Sequence, residues 1–323
     1  MALGGLLSAA AGAGPLTHGA GQAARVTMQA FWAGSPAAPM YVERLEPADG
    51  PRQPYPLLLV HGAGQTGASW QTTPDGREGW APHFVRRGFT TYIVDLPGHG
   101  RSGQPADFAA WSGLRYVEAL EALLAQTGPA LVVTHSMGGR VGWKLADRSP
   151  AYVAALFAVT PAPPPNLRPR AAPLADENTP FRQGADDARD YLTNTAAFPH
   201  EAFDTFVSTL VPESARAVNE GRNAAGPELY VERRDVFRDI PAAALAAVED
   251  RTDPPAVVAL STDHFGIPLI VADTDWELPG HGHMLMLEHG NEALAARIAD
   301  WLEQAARQRP PRARSGLRSR ARR

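Results

Sequence analysis

Three separated segments of the chain carry the residue types that nucleophilic acyl chemistry needs. The run Leu131-Val132-Val133-Thr134-His135-Ser136-Met137-Gly138-Gly139 is apolar at first and then turns abruptly to polar and small residues. A serine at a sharp strand-to-helix turn projects its hydroxyl from a strained backbone, and that geometry asks for small residues two before and two after it. Gly138 fills the second position, while Thr134, bulkier than glycine, stands at the first. Ser136 is therefore the candidate nucleophile, with a helix expected from near Arg140. His61-Gly62-Ala63-Gly64 directly follows another apolar run, Leu57 to Val60. Acyl transfer needs two preorganised N–H donors for the tetrahedral oxyanion. Met137, next after the serine, would supply one, and Ala63 or Gly64 the other; a plain glycine-rich turn is the alternative reading of that segment.

A serine hydroxyl becomes a competent nucleophile only when a base takes its proton. The block Pro279-Gly280-His281-Gly282-His283-Met284-Leu285-Met286-Leu287-Glu288 offers His283 and His281 in a loop between the last apolar run and a terminal helix. His135 adjoins the nucleophile, but its side chain is expected to point away. His61 and His99 are expected to support loops.

Asp95-Leu96-Pro97-Gly98-His99-Gly100-Arg101-Ser102 adds a further motif between these segments. The order HGxG, DLPGHGRS, HSMGG resembles the α/β-hydrolase superfamily over nearly all of Leu57 to Leu302. Gln65-Thr66-Gly67 and Thr73-Pro74-Asp75-Gly76-Arg77-Glu78-Gly79-Trp80 narrow the likeness. They are similar to a group of secreted bacterial and fungal esterases with HGxGQTG, TPDGRxGW and a late GHMxMLE block, from which this chain departs in a shorter stretch between Ser102 and Ser136. The resemblance implies His283 as the base and an acid that orients it. In the esterase group the acid is a Glu before Pro after the strand that follows the nucleophile, where this chain has Thr160 before Pro161. The superfamily's other acid position falls after the penultimate strand, in Glu249-Asp250-Arg251-Thr252-Asp253-Pro254. Asp250 fits best there; Glu249 and Asp253 stay open, and each of the three has a solvated loop carboxylate as its alternative reading.

Positioning such residues calls for a particular scaffold. Leu57 to Val60, Thr91 to Val94 and Ala130 to Val133 are continuous apolar runs, as in parallel strands buried on both faces. Ala154 to Val159, Pro241 to Val248 and Ile267 to Ala272 continue the series. Val26 to Trp32 and Met40 to Leu45 read as an antiparallel pair around a Gly-Ser-Pro turn. Leu114 to Gln126 puts Leu114, Val117, Leu120, Leu123 and Leu124 on one helical face, and Asn291 to Leu302 does the same with Leu294, Ile298, Trp301 and Leu302. The fold class is α/β, an α/β-hydrolase fold with a mostly parallel central sheet flanked by helices. Residues 25–161 and 240–304 form its core. Residues 162–239, rich in Pro and charge, form a cap insertion whose Phe181, Tyr191, Phe198, Phe203 and Phe206 would set substrate choice.

Composition bounds the reading. The 323 residues are 44% hydrophobic and hold no cysteine, which excludes disulfides, thiol nucleophiles and Cys-ligated zinc. The last stretch, from Arg307, has eight arginines and no acid, so of the formal net charge of −4 the rest of the chain carries −12. An acidic body gives no support to nucleic-acid binding, and residues 305–323 read as a disordered, solvated tail. No apolar run reaches the roughly 20 residues that span a bilayer. Residues 1–24 begin with small apolar residues and Ala-x-Ala steps like the distal part of a secretory signal, though without its charged leader, which favours export. His18-Gly19-Ala20-Gly21-Gln22 duplicates His61 to Gln65 without a preceding strand and is read as chance. No cofactor and no metal are implied. The expectation is a serine hydrolase acting on a small-molecule ester. Acyl transfer and carbon–carbon bond hydrolysis use the same residues, and a non-catalytic binding protein that kept the fold is the alternative.

Overall fold

The computed structural model describes residues 26–308. Residues 1–24, with the His18 to Gln22 duplicate, and the arginine-rich run beyond residue 308 lie outside the described residues. Among those described, eight strands form one sheet in the order β1-β2-β4-β3-β5-β6-β7-β8. The strands are β1 (Val26–Ser35), β2 (Ala38–Pro47), β3 (Leu57–Val60), β4 (Thr91–Asp95), β5 (Ala130–His135), β6 (Val153–Val159), β7 (Ala242–Ala246) and β8 (Leu269–Val271). β1 and β2 pair antiparallel, as do β2 and β4, and every later pairing is parallel.

The central strands are apolar on both sides because helices cover both faces. Leu57, Leu59, Leu131 and Val133 pack on one face with α1 (Trp80–Arg86) and the terminal helix Asn291–Gln308. Leu58, Val60 and Val132 point to the other, against α2 (Leu114–Thr127) and α3 (Met137–Arg148). Strand order reverses around β3 and β5: the chain leaves β3 toward β4, then returns across β3 to β5 and continues outward. The carboxyl ends of strands at such a reversal open a crevice where open α/β sheets bind ligands. His61 to Gly64 follow β3 there, and Ser136 follows β5.

Element boundaries differ from the sequence expectation for local reasons. Ser35 pairs with Ala38, so the hairpin turns at Pro36-Ala37 and both strands run longer. β7 stops at Ala246 because Val248 is exposed and its N–H goes to the Asp273 carboxylate at 2.9 Å. The final helix reaches Gln308, into the expected tail, because Ala305 and Ala306 pack into the core. Between β6 and β7 no residue joins the sheet; short helices such as Phe203–Thr209 and Ala215–Gly221 fill that stretch. Phe198, Phe203 and Phe206 are buried in the hydrophobic core, and Tyr191 is exposed. No helix among the described residues is long and apolar enough to cross a membrane.

Candidate active site

Ser136 occupies the turn between β5 and α3 with φ 52° and ψ −121°, a left-handed conformation that a residue with a Cβ adopts only under strain. α3 starts at Met137 rather than near Arg140, so Ser136 itself is the cap. The strain is held by close packing. A Cβ on Gly138 would lie 2.7 Å from the His61 carbonyl oxygen, and one on Gly139 would lie 2.5 Å from Pro161 Cβ. Thr134 is accommodated from across the strand–helix contact: a Cβ on Gly142 would lie 2.7 Å from Thr134 Cγ2. The glycine expected at position 134 is thus made up for by one at position 142, a pairing that sequence inspection missed because the two residues meet only when α3 folds back on β5.

The structure brings Ser136, His283 and Asp250 into one hydrogen-bonded chain. His283 Nε2 lies 2.9 Å from Ser136 Oγ, and His283 Nδ1 lies 2.9 Å from Asp250 Oδ2. Nδ1–H donates to the carboxylate, which leaves Nε2 free to accept from the serine hydroxyl. Asp250 Oδ1 in turn accepts the backbone N–H groups of Thr252 at 2.7 Å and Asp253 at 3.0 Å. Burial alone would raise the Asp250 pKa, but the His283 charge and these hydrogen bonds hold it below the ordinary carboxylate value. Burial likewise works against a charged His283, and the Asp250 charge and hydrogen bond outweigh it, so the imidazole pKa is raised above 6.5.

The competing residues go elsewhere. Glu249 is exposed. Asp253 is buried and paired with Arg168 at 2.5 Å. His281 Nδ1 meets Glu288 Oε2 at 3.0 Å, and the same carboxylate accepts from Gly282 N and Thr195 Oγ1, which fixes the loop that carries His283. Arg77 of the TPDGR block donates to the carbonyls of Leu287 and Glu288 and tightens that loop from the other side. Thr160 lies at φ 37° with its hydroxyl 3.3 Å from the His283 carbonyl, to which it donates. His135 makes no hydrogen bond to Ser136 among the described residues; its Nε2–H donates to the same His283 carbonyl at 2.9 Å, and burial pushes its pKa down to about 3. His61 Nε2 accepts from Leu96 N at 3.0 Å and Nδ1–H donates to Gly62 O at 2.8 Å, with a pKa lowered to about 4 by burial.

The two glycine-flanked loops face the serine. A Cβ on Gly62 would lie 3.0 Å from Ser136 Cβ, so the HGAG loop packs directly on Ser136. Met137 N–H, at the first turn of α3, has no partner within its own helix. No hydrogen bond from Ala63 N–H is made among the described residues. Of the two expected donors on this side, Gly64 sits at φ +64° and already gives its N–H to Glu213 Oε2 at 3.3 Å, whereas the Ala63 N–H is uncommitted among the described residues.

A cavity of about 300 Å³ lies between the turn after this loop and the helix Phe203–Thr209, with Gln65, Thr66, Pro74, Thr205, Phe206 and Leu287 in its walls and Ser136 outside them. Asp75, Glu201 and His289 bring ligand atoms within 4.8 Å of one another, but two of them are exposed and Asp75 already accepts from Arg77 and Thr73.

A strained serine on a strand–helix turn at a sheet's reversal point, with a buried His–Asp pair against its hydroxyl, defines a serine-hydrolase type of site. Residues 57–297 match the Alpha/beta hydrolase family, and the chain belongs to that family. It is 34% identical to a fungal protein named "Probable secreted lipase phiG" over 39% of this chain and 50% of that protein, so it spans about half the length of that relative. It is 29% identical to a pimeloyl-[acyl-carrier protein] methyl ester esterase of Xylella fastidiosa, over 68% of this chain and 90% of the other. Among solved structures, a thermophilic esterase from Thermogutta terrifontis superposes with a TM-score of 0.59 at 19% identity, covering 86% of this chain and 99% of that one.

Proposed function

We propose that the protein hydrolyses carboxylic esters through an acyl-enzyme on Ser136. The observation that carries this reading is the buried chain from Ser136 Oγ through His283 to Asp250, each link 2.9 Å, mounted on a serine held at φ 52°. In the first step His283 Nε2 takes the hydroxyl proton as Ser136 Oγ bonds to the ester carbon. The carbonyl electron pair moves onto its oxygen, which the N–H groups of Met137 and Ala63 receive. Collapse expels the alcohol, protonated by His283, and leaves the acyl group on Ser136. Water, deprotonated by the same imidazole, then attacks the acyl carbon and releases the acid. Asp250 stays ionised throughout and stabilises the imidazolium.

The HGAGQTG, TPDGREGW and GHMLMLE blocks ally the chain with the secreted bacterial and fungal esterases, with the acid moved from the position of Thr160 to Asp250. Export forms part of the proposal, supported by the signal-like opening residues and by the likeness to a relative named as secreted. The test is turnover of short-chain p-nitrophenyl esters by the purified protein. The expected result is hydrolysis that Ser136→Ala and His283→Ala abolish, with a covalent acyl adduct at Ser136 visible by mass spectrometry after rapid quench. Turnover that survives Ser136→Ala would sink the proposal.

A further inference from the structure

A second buried network lies beside the oxyanion loop, and the ester chemistry does not use it. Its centre is Glu213, which is 1% exposed and lies in the insertion between β6 and β7. Glu213 Oε1 accepts from Tyr116 Oη–H on α2 at 2.6 Å and from Ser214 N–H at 2.8 Å. Oε2 accepts from His99 Nε2–H at 3.0 Å and from Gly64 N–H at 3.3 Å. The same segment grips Gly64 a second time, since Val211 N–H donates to the Gly64 carbonyl at 2.8 Å. Both backbone polar groups of Gly64, one in each of the peptide units that flank its Cα, are therefore held by residues 211–213. Gly64 sits at φ +64°, and a Cβ there would lie 3.2 Å from the Val211 carbonyl oxygen, so the insertion lies directly on this loop.

The charges fit a permanent clamp. His99 Nδ1 lies 3.2 Å from the Pro97 carbonyl oxygen and Nε2 faces Glu213, so both ring nitrogens meet acceptors and the ring is suited to carry two protons. Burial would raise the Glu213 pKa, but the His99 charge and the hydrogen bonds from His99, Tyr116 and Ser214 bring it down to about 2. A buried, fully hydrogen-bonded carboxylate is a stiff anchor, because any movement leaves charged atoms without partners.

We propose that Glu213 is a positioning residue for the oxyanion hole. It draws the Gly64 N–H away from the substrate and, with Val211, holds the two peptides on either side of Gly64, so that the adjoining peptide, which carries Ala63 N–H, is aimed at the developing oxyanion. The inference rests on the ester-hydrolase reading of Ser136 and adds that the insertion, rather than the sheet alone, sets the hole. Hydrogen bonds to an oxyanion act when charge develops, so misaiming the donor lowers kcat and leaves substrate KM nearly unchanged.

The experiment compares wild type with Glu213→Gln and Tyr116→Phe. In Glu213→Gln one side of the amide must set NH2 against N–H donors, whichever way it is turned. Tyr116→Phe removes a hydrogen bond on the other carboxylate oxygen and leaves Gly64 untouched. The expected result for Glu213→Gln is a kcat lower by about tenfold to a hundredfold, below the 10²–10³ for outright loss of a donor, with KM within about threefold. Binding of an alkylboronic acid, a mimic of the tetrahedral intermediate, should weaken in parallel with kcat/KM. Tyr116→Phe should lower thermal stability while keeping kcat within about threefold. Hydrogen exchange over residues 61–66 supplies a readout independent of turnover, with faster exchange expected in Glu213→Gln. Unchanged kcat and boronate affinity in folded Glu213→Gln would overturn the proposal. If Glu213→Gln does not fold, Glu213→Asp, too short to reach Gly64, takes its place under the same criteria. A wild-type protein inert toward esters would count against the hydrolase reading, and slow exchange at 61–66 that Glu213→Gln fails to accelerate would count against the clamp.

Discussion

Two of the buried histidine–carboxylate pairs among the described residues, His283–Asp250 at 2.9 Å and His99–Glu213 at 3.0 Å, have nearly equal geometry and differ in what the second ring nitrogen meets. His283 Nε2 faces the Ser136 hydroxyl, a group that can donate, so this imidazole can start neutral and accept a proton. His99 Nδ1 faces the Pro97 carbonyl, which can only accept, so this imidazole is best satisfied as a cation. In both pairs burial disfavours the charged ring and the neighbouring carboxylate raises its pKa above 6.5. A carboxylate therefore does not by itself make a histidine a base; the partner on the far nitrogen decides.

The comparison is broken most severely at Asp250. Asp250→Asn should cut kcat by ~10⁴, as when a triad acid loses its charge and the imidazole its orientation. A fall of less than about tenfold in p-nitrophenyl ester turnover would return the acid role to Asp253 or Glu249. The corresponding change in the other pair should act on stability. His99→Gln leaves Glu213 buried without its cation, and breaking such a pair costs ~3–5 kcal/mol. Chemical denaturation should show that loss; an unchanged midpoint would mean that His99 is neutral in the native protein.

Next in size is the response to pH. As the proposed base His283 must be unprotonated, so with its pKa raised, kcat/KM should fall about tenfold per unit as pH drops below a midpoint above 6.5. For stability the signs run opposite within the second pair. His99, with its pKa raised, stabilises fully below 6.5 and loses that contribution as pH climbs through its folded value. Glu213, lowered from 4.5 to about 2, stabilises above 4.5 and loses its contribution as pH falls toward 2. The stability gap between wild type and Glu213→Gln should be widest between about pH 4.5 and 6.5. A gap independent of pH would show that the pair is not ionised.

The smallest expected effect is at Thr160. Its hydroxyl and His135 share the His283 carbonyl, so Thr160→Val should lower kcat only about two- to fivefold, within the ~1 kcal/mol of a single hydrogen bond. A loss approaching that of Asp250→Asn would give Thr160 a direct part in the chemistry.

Much of the architecture was legible in the chain itself. Fully apolar runs such as Leu57 to Val60 and Ala130 to Val133 can be satisfied only by burial on both faces, and helical spacing in Leu114 to Gln126 supplies the cover. Ser136 stood out because a strand-to-helix turn flanked by Gly138 and Gly139 is a local signal. The limits lay in pairings that exist only once the chain has folded back on itself: Gly142 as the counterpart of Thr134, Glu288 as the brace of the His283 loop, and Glu213 as the partner of Gly64 join residues 8, 6 and 149 positions apart. Neither residue type nor spacing marks such partners, whatever their separation.

What the sequence by itself determined was therefore the alternation of strand and helix, the strand-to-helix turn that carries Ser136 and the loops that face it. All of these follow from side-chain size, polarity and backbone conformation over a few neighbouring residues. Only the tertiary structure decided which carboxylate meets His283. Glu249, Asp250 and Asp253 are nearly adjacent in the chain, yet one points to solvent, one to the histidine and one to Arg168. It also decided that Gly64 turns its N–H toward the insertion. Both choices depend on where distant segments come to rest, because a buried charge or N–H takes whichever partner the completed fold presents.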